Sequence, residues 1–319
     1  MRLLLTGGTG FFGKSLLKFI ASKNKPFEVT VLTRNTSSFF LRHPQFSNLP
    51  WLKFQNGDVT QIETLRSLAG KDRFTHLLHA ALDSTVERKL NSFERYNQIV
   101  SGTQNLLKLA AANGISRFLL TSSGAVYGTQ PYEIKSIPEN YHGTADPLLP
   151  GSTYGLAHRV AEHFCALASN ESDVQTVIAR CFAFVGEDLP MEAHFAIGNF
   201  IRDARYKTSI EVQGDGSPIR SYLYQTDLAN WLLTLLDKGK SGEAYNVGSD
   251  QSISIADLAY LVRDIVAPQK SVIISNGLFA DNHQRSIYIP NIEKARNSLN
   301  LSVNVSLKES IYLASKFID

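Results

Sequence analysis

An α/β chain built on a doubly wound parallel sheet is what the residue pattern calls for. Apolar runs that are short and mostly non-alternating fit strands buried on both faces. The longer segments between them carry apolar residues at i, i+3 and i+4, as amphipathic helices do. The two kinds alternate β-α-β-α through about the first 180 residues, and parallel strands joined by helices need right-handed crossovers that stack helices on both sheet faces.

The first strand, Leu3 to Leu5, runs into Thr6-Gly7-Gly8-Thr9-Gly10-Phe11-Phe12-Gly13, and Phe12, Leu16, Leu17 and Ile20 mark the first helix. Val29 to Leu32 is a second strand ending at Thr33-Arg34, and a third precedes Gly57-Asp58-Val59. Leu77 to Ala81 is the fourth, followed by a helix through Leu106, Leu107, Leu109 and Ala110. Phe118 to Leu120 and Val177 to Ala179 flank a helix through Val160, Ala161, Phe164 and Leu167. Beyond residue 180 the rhythm loosens into Gly, Pro and polar segments, with helices near His194 to Ala204 and Asp227 to Leu236. No repeat, low-complexity tract or linker separates the halves, so two interleaved units are expected. Residues 1–180 plus 222–250 would bind a dinucleotide; 181–221 plus 251–319 would form a smaller substrate-binding unit.

Composition bounds the function. The chain has 319 residues, 43% hydrophobic and 19% charged, which excludes disorder, collagen and coiled coil. Thirty-two basic residues against 29 acidic leave a net charge of +3, too small for the broad positive field of a nucleic-acid binder. Cys165 and Cys181 have no metal-ligand or disulfide-scaffold spacing, so no metal site is expected and a reducing cytoplasmic setting is. No apolar run approaches the ~20 residues of a membrane span, and three leucines before Gly7 are too few for a signal-peptide core.

Gly8, Gly10 and Gly13 form G-x-G-x-x-G between a strand and a helix. Early glycines let the backbone turn and approach a pyrophosphate, and free N–H groups at the helix start favour the anion. Gly7, Gly10, Phe11, Phe12 and Gly13 are therefore candidate cofactor contacts. Where an acid would bind the adenosine ribose, the chain has Thr33 and Arg34. Arg can bond a 2′-phosphate through two N–H groups, so NADP(H) is expected over NAD(H). Asp58 is a candidate partner for the adenine amino group, or else a loop cap, with Val59 beside it.

Two further segments carry chemistry: Thr121-Ser122-Ser123-Gly124-Ala125-Val126-Tyr127-Gly128 and Ser152-Thr153-Tyr154-Gly155-Leu156-Ala157-His158. With the glycine turn they resemble the extended short-chain dehydrogenase/reductase family, in its NAD-dependent epimerase/dehydratase branch, over nearly the whole chain. His79-Ala80-Ala81, Asn97, Gly214-Asp215-Gly216, Arg220-Ser221-Tyr222, Asp227-Leu228-Ala229, Tyr245-Asn246-Val247-Gly248 and Asn291-Ile292-Glu293-Lys294-Ala295 match in order.

The resemblance implies a Rossmann-type fold, with Tyr154 exchanging a proton with a sugar hydroxyl while the nicotinamide exchanges a hydride. Ser123 would align the same oxygen, and Ala80 and Asn97 would join the cofactor contacts. The family's Lys four residues after the Tyr is replaced by His158. An i, i+4 imidazole can reach the Tyr and the ribose, but near its ordinary pKa of about 6.5 it is largely neutral at working pH. His158 could do the amine's work, the nicotinamide charge and a water could replace it, or catalysis could be impaired. In that last case the chain is a non-catalytic dinucleotide-binding protein.

Gly124 and Ala125 stand where 4,6-dehydratases carry an Asp and a Glu, so elimination is rejected. C4 reduction or C4 epimerisation of a nucleotide-diphosphate sugar remains. Asn199 and Arg220, and more weakly Arg285, match diphosphate contacts; Tyr127 is a candidate substrate contact or a packed aromatic. Ala183 replaces an Asn of the family pattern. A homodimer is expected through the helices containing Asn97 and Tyr154, using Leu106, Leu109 and Ala112.

Overall fold

The computed structural model describes residues 1–23, 27–70, 73–81, 90–143, 145–191, 195–275 and 286–316. Strands β1 (Arg2–Thr6), β2 (Glu28–Thr33), β3 (Leu52–Asn56), β4 (His76–His79), β5 (Arg117–Ser123) and β6 (Gln175–Cys181) join Glu243–Val247 in a seven-stranded sheet. From one edge the order is Glu243–Val247, β6, β5, β4, β1, β2, β3. β1 pairs in parallel with both β2 and β4, β2 with β3, and β4 with β5. Strand order therefore reverses beside β1, and the crevice at the carboxyl ends of β1 and β4 is where such sheets bind ligands.

Leu3, Leu4 and Leu5 are all fully buried, which explains the unbroken apolar run: helices cover both faces. These are α1 (Phe11–Ala21), α2 (Thr36–Arg42), α3 (Ile62–Leu65), α4 (Ser92–Ala112) and α5 (Thr153–Glu171). A capping box starts α4, with Asn91 accepting from the Glu94 N–H and Glu94 accepting from the Asn91 N–H. On one sheet face, Leu106, Leu107 and Ala110 of α4 pack with Ala157, Ala161 and Cys165 of α5 over Leu77, Phe118 and Leu120. Each buried leucine contributes roughly 1.5–3 kcal/mol. Leu106 thus belongs to the core and not to an outer face as expected for a dimer contact; Leu109 is half-buried and Ala112 exposed.

Two units divide the chain. The first holds Met1–Val126, Ala145–Arg180 and Ala229–Tyr245; the second holds Tyr127–Thr144, Cys181–Leu228 and Asn246–Asp319. The boundary after Arg180 is where the rhythm of the sequence changes, but residues 127–144, 222–228 and 246–250 lie in the second unit, against the expected division. Hydrogen bonds explain the first of these: Gln130 Oε1 accepts from the Ile289 N–H, the Ile137 N–H donates to Ile289 O, and Asn246 Nδ2 donates to Ile137 O.

In the second unit, Ile219–Arg220 pairs antiparallel with Ile253–Ser254 and parallel with Ile287–Tyr288, and Ser209–Val212 pairs parallel with Ser271–Ile274. Helix α6 (Ala196–Tyr206) packs on helix Ile255–Val266. The second late helix runs Gln225–Lys238; its predecessor was expected from His194, a residue outside the described set.

Candidate active site

Thr6 ends β1 and Gly7 follows at φ +71°, a conformation that favours glycine. A Cβ on Gly7 would lie 2.3 Å from the Ala80 carbonyl oxygen, so the turn is pressed against the end of β4. There the Ala80 N–H donates to Thr6 O at 3.2 Å and the Ala81 N–H to Thr6 Oγ1 at 3.3 Å. Helix α1 starts at Gly10 with no side-chain cap and no acid in its first turn. No side chain thus caps its first turn, and a dinucleotide pyrophosphate fits this cradle. Phe11 and Phe12 stand half-buried there, ring centroids 5.9 Å apart.

The expected adenosine contacts are mixed. Arg34 is exposed at the end of β2, and Thr33 accepts the Gly57 N–H through its carbonyl. Asp58 Oδ1 accepts from both the N–H and hydroxyl of Thr60, at 2.9 and 2.8 Å; one carboxylate oxygen is a loop cap. The Val59 side chain is core, 2.8 Å from where a Cβ on Gly102 would sit, so only its backbone can reach a ligand. Asn97 is exposed on α4, and its Oδ1 accepts the Ser101 hydroxyl at 2.7 Å.

Tyr154, His158, Glu162 and Cys165 follow the buried stripe of α5 at i, i+4, i+8 and i+11. The helix start is brought to the end of β5 by Gly155, whose missing Cβ would lie 2.4 Å from Ala125 O. No side chain fits there. Ser123 ends β5 and its Oγ accepts the Ala125 N–H at 3.1 Å; its own proton meets no acceptor among the described residues. Ser122 points elsewhere, donating to Glu162 Oε1 at 2.6 Å, while Glu162 pairs with Arg180 at 2.7 Å in a mostly buried network. Ser122 is structural. Arg159 donates to Val126 O and leaves the position next to Tyr154 to His158.

The His158 ring stands edge-on to Tyr154, centroids 4.5 Å apart and planes at 74°. It is 0% exposed, neither ring nitrogen has a hydrogen-bond partner among the described residues, and burial pushes its pKa down to about 3. The imidazole is therefore neutral at any working pH. It can donate one hydrogen bond and accept another, but it cannot stabilise a phenolate as an ammonium would. Each orphaned buried polar atom costs roughly 1–3 kcal/mol.

His79 entered the sequence reading only as part of a matching motif. It is 0% exposed, lies 2.8 Å from Thr6 Oγ1 through Nδ1, and leaves Nε2 without a partner. Burial, and secondarily the nearness of His158, hold its pKa at about 3. Thr6 thus meets His79 beside the glycine turn, and His158 meets Tyr154. Nothing in the local sequence could have signalled the first of these contacts, since its partners lie far apart along the chain.

In the second unit, Asn199 sits half-buried in the first turn of α6, its side-chain amide without a hydrogen bond among the described residues. Arg220 donates to Ile219 O and to Ser286 O and Oγ. No carboxylate pairs with it among the described residues. Burial lowers its pKa, and Tyr222 and Tyr288 raise it. Tyr127 is 1% exposed and its hydroxyl donates to Asn246 Oδ1 at 2.8 Å. It is a packed aromatic and not the substrate contact expected. Arg285 lies outside the described residues. Among the described residues no group of His, Cys, Asp or Glu could hold a metal, and no helix is long and apolar enough to cross a membrane.

The sequence profile of the NAD dependent epimerase/dehydratase family matches residues 3–248. UDP-glucuronic acid decarboxylase 1 of Arabidopsis thaliana is 30% identical over 316 residues, covering 98% of this chain and 68% of the relative. UDP-glucose 4-epimerase of Thermotoga maritima superposes with a TM-score of 0.83 at 20% identity, covering 99% and 98% of the two chains. A dTDP-glucose 4,6-dehydratase of Bacillus anthracis in complex with NAD also gives 0.83, at 18% identity and 99% and 96% coverage.

Proposed function

The chain belongs to the NAD dependent epimerase/dehydratase family, and from that premise we propose that it is a nucleotide-diphosphate-sugar oxidoreductase acting at C4, with Tyr154 as acid/base. What supports this is that Thr6 meets His79 at the glycine turn and His158 meets Tyr154, all within the first unit. A phenol and a dinucleotide turn in the same unit support one site there.

A bound nicotinamide supplies the hydride acceptor or donor. The protein does the rest. Tyr154 takes the proton of the C4 hydroxyl or returns it to a carbonyl, and Ser123 donates its free proton to the same oxygen to keep it aligned. Both nitrogens of His158 are sealed from solvent, so the ring packs edge-on against Tyr154 and is not offered to the ribose hydroxyls that the resemblance implied. In the second unit Asn199 and Arg220 are the candidate diphosphate contacts, an anion that suits a guanidinium with no carboxylate partner among the described residues. Family membership supports NAD(H) as cofactor, against the NADP(H) preference expected from Thr33 and Arg34, and titration with both dinucleotides separates the two. A homodimer through α4 and α5 belongs to the same proposal, with Phe93 of α4 89% exposed, and so does a cytoplasmic location.

Gly124 and Ala125 offer no acid or base for expelling water, which supports epimerisation or reduction. Decarboxylation is a second outcome, favoured by the Arabidopsis relative. In a 4-keto sugar acid the carboxylate lies β to the carbonyl and leaves as CO₂, its bonding pair passing into a C4 enolate that takes a proton from water at C5, with no side-chain base needed at position 125.

The test is incubation with NAD(H) or NADP(H) and a panel of 4-hydroxy, 4-keto and 6-carboxy nucleotide sugars, with products read by NMR. Tyr154→Phe should lower turnover by about 10²-fold or more while dinucleotide still binds. Undiminished turnover in that variant overturns the assignment. No turnover in the natural protein, with activity appearing in His158→Lys, would leave a dinucleotide-binding protein.

A further inference from the structure

The phenol of Tyr154 and the hydroxyl of Ser123 come from different elements, α5 and β5, so their separation depends on how that helix lies on that strand. Three residues along one edge of α5, Gly155, Arg159 and Glu162 at i, i+4 and i+7, meet the segment 122–126 that contains Ser123. Gly155 lets the Ala125 carbonyl oxygen come within 2.4 Å of where a Cβ would stand. Arg159 Nη1 donates to Val126 O at 2.9 Å. Glu162 Oε1 accepts the Ser122 hydroxyl at 2.6 Å. All of these residues lie in the first unit.

The carboxylate of Glu162 is itself held. Arg180 of β6 donates to its Oε2 through Nη2 at 2.7 Å, and through Nε to both oxygens at 3.1 and 3.2 Å. Ser122 is 2% and Glu162 8% exposed, so water competes little for these charge-assisted bonds. Since β6 neighbours β5 in the sheet, one carboxylate ties α5 to two adjacent strands. Tyr154 and Glu162 are two turns apart in α5, about 12 Å. Over so short a helix, a slip at Glu162 is passed on to Tyr154. At the other end, Ala125, pressed against Gly155, donates its N–H to Ser123 Oγ at 3.1 Å, so α5 also governs how the serine is seated.

Resting on the proposed roles of Tyr154 and Ser123, we infer that Ser122, Arg159 and Glu162 are positioning residues. The helix that carries the phenol grips the strand end that carries the serine and fixes the register between them. A misplacement of about 1 Å at reacting groups can cost about 10²-fold in rate, which is what this grip prevents.

The full-length protein labelled with ¹³C at tyrosine Cζ tests this without any ligand, the Tyr154 signal being the one missing from Tyr154→Phe. Ser122→Ala cuts the tie to β5 while Arg180 still neutralises Glu162, so the buried charge keeps its partner. Arg159→Met cuts a second tie at similar side-chain length. Thr121→Val is the control, because that buried hydroxyl, the next one along β5, donates to His79 O of β4 and not to α5. Ser122→Ala and Arg159→Met should each move the Tyr154 signal and lower kcat by about tenfold, with KM for the sugar and dinucleotide affinity changed by less than about twofold. Thr121→Val should leave the Tyr154 signal in place.

An unmoved Tyr154 signal in either folded variant overturns the inference. So does an equal movement in Thr121→Val, since loss of any buried β5 hydrogen bond would then suffice. In an active enzyme, a moved signal with unchanged kcat overturns it too, because register would not matter to the rate. A protein that turns over no nucleotide sugar and still shows the two shifts refutes the proposed function and leaves the grip of α5 on β5 standing.

Discussion

Acid should unfold the first unit by way of its two buried histidines. An unfolded histidine takes a proton near pH 6.5, whereas burial holds His79 and His158 at about 3. Between these values the unfolded chain binds more protons, so stability is fully present above about 6.5 and falls as pH drops toward 3. At pH 5 the deficit is about 1.5 pH units per histidine, or about 2 kcal/mol each at 1.36 kcal/mol per unit. The pair therefore costs about 4 kcal/mol, a large part of the 5–15 kcal/mol that typically separates folded from unfolded states. Trp51 and Trp231 both lie in the first unit, so tryptophan fluorescence during urea unfolding reports on it alone. Wild type and His158→Gln would be compared at pH 7.5 and 5.0. Other titrating groups cancel in the difference, and the variant should lose about 2 kcal/mol less than wild type over that interval. Equal losses would refute the claim that a depressed imidazole pKa is what acid attacks.

Ser123→Ala should lower kcat by about 10–100-fold with little change in dinucleotide affinity, because only the alignment of the sugar oxygen is lost; steady-state kinetics and a binding titration check this. Tyr127→Phe orphans Asn246 Oδ1 and should cost about 1–3 kcal/mol of stability while KM for the sugar stays unchanged, whereas a substrate contact would raise KM. Glu162→Gln strips the mostly buried Arg180 of its counter-charge and should cost about 3–5 kcal/mol in urea unfolding.

Much of this molecule was legible along the chain. The sheet could be read because strands covered on both faces must be apolar at consecutive positions, as Leu3, Leu4 and Leu5 are. The glycine turn could be read because Gly7 takes a positive φ against Ala80, and Tyr154 and Ser123 stand as candidates because their motifs resemble a known family. Where the expectation failed, distant partners decided. Tyr127 follows a catalytic-looking segment, but Asn246, 119 residues away, takes its hydroxyl. Leu106, named as a dimer contact, is instead packed with α5 residues over β4 and β5. Residues 127–144 join the second unit through Ile289 and Asn246.

The amino-acid order by itself determined an alternating α/β sheet, a phosphate turn and the substitution of histidine for lysine at 158, since each is a local matter of period, spacing or identity. Only the tertiary structure decided the protonation state of that histidine. Charge on an imidazole depends on what water and which dipoles surround it, and those are set by α4, β4 and β5 closing over His79 and His158, not by any residue adjacent to them in sequence.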